Sequence, residues 1–291
     1  MVSFGVELES EVNGALVSVQ MDGYHGSNAK YLIPTSRNWK CERDGSLNCS
    51  KFPSGIAVEI ISKKAENTAE MKQMLEEFKT FFRTAGGGNH ELKEILNYNN
   101  SMGCHIHFSE GKKFKFFKNM TFRGYMQMRV KFFQLLDSSK VIPKATRDKI
   151  KAHYGRSYSS LLTRKDYSNM ENRRNEFNFN SEKSGNGLEW RSFNILGVET
   201  WAEFDEMFRI AFETIEFFCN NRGKFDETLK FKATKKILNT KAEELGDCEI
   251  IIESGKHQEV NLTTEHCLSK LQDFNINNKE EFEIDVFLLR N

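Results

Sequence analysis

Apolar and polar residues alternate from Ser3 to Leu8, with Phe4, Val6 and Leu8 on one side and Gly5 and Glu7 on the other. A period of two predicts a half-buried strand. Asn13-Gly14 reads as a turn leading to a second short strand from Ala15 to Gln20. The stretch from Asp22 to Ser54, rich in Gly, Asn and Ser, reads mostly as loop. Gly55 to Ser62 is a β-branched apolar run broken by one carboxylate, Glu59, and predicts a buried strand. Helical spacing then takes over. Asn67 is placed to cap a helix whose apolar positions are Met71, Met74, Leu75, Phe78 and Phe82, ending at Gly86-Gly87-Gly88.

Further on, Cys104 to Ser109 and Leu188 to Leu196 read as strands. Phe114 to Leu136, Thr146 to His153, Trp201 to Phe218 and Asp226 to Leu245 read as helices. A short strand over Ile250–Glu253 and a helix near Thr264 to Leu271 complete the tail. Strands that carry acidic or histidine residues alternate with long helices, an α+β pattern without internal repeats.

Composition narrows the class. The mean hydropathy is −0.58 and charged residues make up 29%. No apolar run approaches the roughly 18 residues of a membrane span, and the first residues lack the basic and apolar regions of a secretory leader. The expectation is a cytoplasmic protein, with its 6 scattered cysteines as free thiols. Charge is segregated. Between Glu110 and Arg174, 17 Lys and Arg stand against 5 Asp and Glu; from Lys241 to Asn291 the counts are 5 and 12. The basic middle suits a polyanion, although charge alone favours the plainer reading of solvated helix faces.

The candidate chemistry sits in the strands. Glu7 and Glu9 project from one face of their strand, and two adjacent carboxylates suit a hard divalent cation or, on an open edge, solvent. His105 and His107 repeat that spacing with imidazoles, which ligate metals or donate to phosphate oxygens. Glu189 and Arg191 set a carboxylate beside a guanidinium, an arrangement for a metal and the phosphate it bridges, or for a simple ion pair. Glu59 is costly in an apolar strand unless paired or bound to a cation. The Gly86 to Met102 segment reads either as a lid over the site or as a surface connection.

Five short segments occur in one order: Gly5-Val6-Glu7-Leu8-Glu9, Asp44-Gly45-Ser46-Leu47, Val58-Glu59-Ile60-Ile61-Ser62, Gly103-Cys104-His105-Ile106-His107-Phe108-Ser109 and Glu189-Trp190-Arg191-Ser192-Phe193. Together they resemble the amidoligase family, relatives of glutamine synthetase and γ-glutamylcysteine synthetase, over roughly residues 3 to 220. The resemblance implies a glutamine-synthetase-like α+β fold, a curved antiparallel sheet with helices on its outer face. It also implies an ATP- and Mg²⁺- (or Mn²⁺-) dependent ligase that joins a carboxylate to an amine through an acyl phosphate. Residues 1–222 would form the catalytic domain, and 223–291 a helical, acidic extension without a matching motif.

Position by position, the resemblance implies Glu7, Glu9 and Glu59 as metal ligands, with His105 and Glu189 completing a second metal position. His107 would contact the nucleotide and Arg191 the transferring phosphoryl group, with Arg174 and Asn178 reaching substrate or phosphate. Arg191, Glu59 and His107 are then the expected catalytic residues. The expected partners are small-molecule or peptide carboxylates and amines, with a protein or nucleic-acid acceptor left open. The rival readings are a metal-dependent hydrolase built on the His-x-His strand and a non-catalytic, virion-associated or other polyanion-binding protein.

Overall fold

In a computed structural model, the described residues are 2–23, 30–109, 122–154, 176–178, 187–221, 231–233, 249–252 and 284–287. Strand β1 (Ser3–Asn13) is the axis of the fold, with Phe4, Val6, Leu8 and Val12 buried on one face. β2 (Trp39–Arg43), β3 (Gly55–Ser62), β4 (Leu96–Asn97), β5 (Cys104–Ser109), β6 (Phe177–Asn178) and β7 (Leu188–Trp190) join it in a seven-stranded sheet of order β2-β3-β1-β5-β7-β6, with β4 also on β1. Every pairing in this sheet is antiparallel.

Helices α1 (Thr68–Arg83), α2 (Leu92–Ile95), α3 (Phe122–Ser138), α4 (Lys144–His153) and α5 (Trp201–Asn221) accompany it. Asn67 caps α1 by accepting the Glu70 N–H, as its sequence predicts. Aromatic contacts seat the long helices on the apolar side of the sheet. Phe4 meets Phe212 of α5 at 5.1 Å, Trp39 meets Phe78 of α1 at 5.0 Å, and Trp190 meets Phe132 of α3 at 5.1 Å between ring centroids. The fold is α+β with an open antiparallel sheet. Among the described residues no helix is long and apolar enough to cross a membrane.

Several sequence expectations change. Ala15–Gln20 is not a strand: Leu16 and Val17 both donate their N–H to the Asn13 carbonyl, so the chain turns where the pattern suggests extension. β2 arises inside the supposed loop, because Trp39 and Cys41 alternate inward against Lys40 and Glu42. β7 stops at Trp190, since the Asn194 amide accepts the Leu196 N–H and donates to the Ile150 carbonyl, turning the chain towards Gly197 at φ 79°. Phe231–Ala233 is a strand (β8) rather than helix, pairing with Ile284–Phe287 (β10), which also pairs with Glu249–Ile252 (β9). The remainder of the C-terminal extension, Arg174 and the two ends of the basic middle segment, residues 110–121 and 155–174, lie outside the described residues.

The lid reading of Gly86 to Met102 also gives way. Leu92, Ile95 and Leu96 are buried, Trp201 Nε1 donates to the His90 carbonyl at 2.8 Å, and Lys93 N–H donates to the Glu199 carbonyl at 3.0 Å. Strand β4 then ties the segment to β1. The glycines serve a turn instead, with Gly86 and Gly87 at φ 60° and 78°, a region costly for any residue with a Cβ.

Candidate metal and anion site

Burying Phe4, Val6 and Leu8 under the helices forces Gly5, Glu7, Glu9 and Glu11 onto the other face of β1, because successive side chains alternate. Cross-strand register then decides who meets whom, since directly paired residues share a face. Glu9 pairs with Glu59, and Glu59 with Glu42, making a row of three carboxylates. Glu7 pairs with His105. Gly5 pairs with His107, His107 with Glu189, and Glu189 with Asn178. The sheet therefore gathers Glu7, Glu9, Glu59, His105, His107, Glu189 and Asn178 on a single face.

The centre of the face is tightly built. His107 Nε2 lies 2.9 Å from Glu7 Oε1, and His105 Nδ1 lies 3.5 Å from Glu7 Oε2 and 3.4 Å from Glu189 Oε1. Asn178 Nδ2 donates to Glu189 Oε2 at 2.6 Å, while the Arg191 guanidinium donates to Glu189 Oε1. Glu7, His107 and Glu189 can each offer one ligand atom, all within 4.8 Å of one another. An ion bound at about 2.1 Å spans ligand atoms up to about 4.2 Å apart, so small side-chain shifts suffice to close on a divalent cation. The donor set, two carboxylates and an imidazole, suits Mn²⁺ or Zn²⁺ as well as Mg²⁺.

The electrostatics divide the face. Burial works against ionising Glu7, but hydrogen bonds and charge from His105 and His107 hold its carboxyl well below the usual range. His107 is likewise pulled down by burial, yet Glu7 and Glu189 raise it overall. At the other end burial, then Glu7, Glu9, Glu42 and Asp44, push the Glu59 carboxyl up to about 8. That is the signature of carboxylates assembled without enough positive charge.

Two details serve the approach of a ligand. A side chain at Gly103 would lie 2.6 Å from His105 Nε2, and the Gly103 N–H donates to Glu9 Oε2 at 2.6 Å, so only glycine fits between them. At Gly5 the missing side chain opens a groove of about 130 Å³ beside Glu7 and His107, lined also by Ser62, Lys64 and Ser109. Among the described residues, His107 Nδ1 and Arg191 Nε are buried without a hydrogen-bond partner.

Sequence reasoning missed Glu42, whose inward-outward alternation with Cys41 was the available signal, and gave Asp44 no role of its own. No protein-family model, curated protein or solved structure matches this chain.

Proposed function

We propose that this chain is an ATP- and Mg²⁺-dependent carboxylate–amine ligase of the amidoligase type. The supporting observation is the convergence of Glu7, His105, His107, Glu189 and Arg191 on one face of an antiparallel sheet, from three separate strand motifs. The order of those motifs along the chain is the second support.

On this reading Glu7, His107 and Glu189 hold one divalent cation, with His105 beside them, and Glu9 and Glu59 serve a second, with Glu42 as a further carboxylate. The cations, when bound, neutralise the triphosphate and the charge that develops in phosphoryl transfer. Arg191 presents a planar guanidinium to the γ-phosphoryl group, and Glu189 keeps that guanidinium oriented. A substrate carboxylate oxygen attacks the γ-phosphorus and ADP leaves. An amine nitrogen then attacks the acyl phosphate carbonyl, phosphate departs and the nitrogen loses its proton. The groove beside Gly5 and Lys64 receives phosphates of the nucleotide, and the acidic row of Glu9, Glu42 and Glu59 draws the amine in as an ammonium, which gives one proton to a carboxylate of that row before its nitrogen attacks.

The test is incubation with ATP, Mg²⁺ and a mixture of amino acids and peptides, with ADP and new amide products followed by mass spectrometry. ADP formed in step with an amide supports the ligase. Substrate hydrolysis with a transition metal and no nucleotide would favour a hydrolase instead. Stabilisation by nucleic acid, with no effect of ATP, would favour a polyanion-binding protein.

A further inference from the structure

Behind the site lies a second polar cluster, sealed in the core. Glu176 is fully buried. Its carboxylate takes Arg129 of α3, whose Nε donates to Oε1 at 3.2 Å, and also the Tyr154 hydroxyl that follows α4. Tyr154 in turn accepts the Trp190 indole N–H at 3.1 Å. A buried ion pair is a poor source of stability, because desolvating both charges offsets most of their attraction. Its location explains it better.

The cluster grips the three residues that carry the site's guanidinium and carboxylate. Glu189 receives Asn178, two residues after Glu176, at 2.6 Å. Trp190 is tied to Tyr154. Arg191 donates its backbone N–H to the Glu176 carbonyl at 2.9 Å. Glu189, Trp190 and Arg191 are therefore each held by the Glu176–Asn178 segment or by Tyr154. The geometry points to Arg129, Glu176 and Tyr154 as positioning residues that fix the Arg191 guanidinium before any ligand arrives. Arg191's role towards phosphate rests on the proposed function; its placement by this cluster does not. A group that is already oriented loses no free energy to reorganisation when charge develops in front of it.

The test reads Arg191 directly, as its Nε–H resonance in ¹⁵N spectra of the ligand-free protein, assigned through Arg191→Lys. Two variants are compared with wild type. One is Tyr154→Phe, which removes a single hydroxyl. The other is Arg129→Met combined with Glu176→Gln, which removes both charges together and leaves none buried alone. The expected result is that Arg191 Nε–H exchange accelerates about tenfold or more and its resonance moves towards that of a solvated arginine, while the amides of Phe208 and Ile215 in α5 keep their protection. An unchanged Arg191 signal in either folded variant overturns the proposal. So does a loss that tracks Phe208 and Ile215, which marks general destabilisation. If the double variant fails to fold, Tyr154→Phe decides. A Mg²⁺–ADP titration of the wild type reports separately on the proposed function. No shift at Arg191 or His107 there counts against the ligase and leaves the ligand-free comparison standing.

Discussion

Glu7 and Glu11 stand on the same strand and the same face, yet their surroundings are opposites. Glu11 is fully buried, and its carboxylate accepts N–H groups from Lys51 and Phe52 and the Asn97 amide at 2.7 Å. These bonds outweigh burial and hold its carboxyl below the usual range. Even Gly55 is committed to it, since a side chain there would overlap Glu11 Oε1. Glu7 is about one-quarter exposed and meets two imidazoles, and two positions away Glu9 faces Glu59, which in turn faces Glu42. A carboxylate saturated by neutral N–H groups is part of the frame. Carboxylates packed against each other, beside imidazoles that can change charge or bind metal, are kept for something that arrives from outside.

The sharpest way to break this comparison is to remove each carboxylate in turn. Glu7→Ala should weaken Mn²⁺ binding by about 10³-fold, since a divalent ion loses one of its few charged ligands, with a loss of thermal stability limited to its pairings with His105 and His107. Glu11→Ala should do the reverse. It strands buried backbone donors, each costing roughly 1–3 kcal/mol, and the ion affinity of the protein that remains folded should be near wild type. Isothermal titration and thermal unfolding measure both. If Glu11→Ala costs affinity without stability, the division of the face into frame and site is wrong.

Arg191→Lys probes the anion side of the same site. The charge remains but the planar fork does not, and Glu189 loses the guanidinium it orients. If the proposed ligase reading holds, ADP formation should fall by about 10²-fold, the usual scale for losing one aligned electrostatic contact in a transition state. Mn²⁺ affinity should change by less than about threefold, because Glu7, His107 and Glu189 remain. Activity within threefold of wild type would remove Arg191 from the phosphoryl-transfer role.

How much of this was legible beforehand follows the same division. The alternation of Phe4, Val6 and Leu8 against Glu7 and Glu9 was readable, because burial and period are local properties of the chain. The single-strand pairs were therefore found. Register is not local: nothing in the sequence says that Glu59 lies between Glu9 and Glu42, or that Gly5 faces His107. The Arg129–Glu176–Tyr154 cluster joins residues from two helix regions and the residue just before a two-residue strand, so no spacing rule reaches it. The lid expectation failed for a related reason. Three glycines signal a permissive backbone, but the buried side chains of Leu92, Ile95 and Leu96 decide whether that freedom is used.

Glu59 offers the finest test, because its environment predicts both a sign and a pH window. Its carboxyl ordinarily titrates near 4.5 and in the folded chain is pushed up to about 8, by burial and by Glu7, Glu9, Glu42 and Asp44. Between those values the unfolded chain has released its proton while the folded chain retains it. Stability contributed by that neutral form is fully present below about 4.5 and is lost as pH rises through about 8. Glu59→Gln has no proton to lose, so in metal-free protein the variant should gain on wild type as pH rises across this window, with the slope bounded by about 1.4 kcal/mol per pH unit for a single proton. Denaturant unfolding at pH 5, 7 and 9 measures the difference. With excess Mg²⁺ at pH 8 the order should reverse, because a cation beside Glu9 and Glu59 stabilises only the chain that can still bind it. A variant that stays level with wild type at every pH, with or without Mg²⁺, would mean that Glu59 is as satisfied as Glu11, and the acidic row would join the frame.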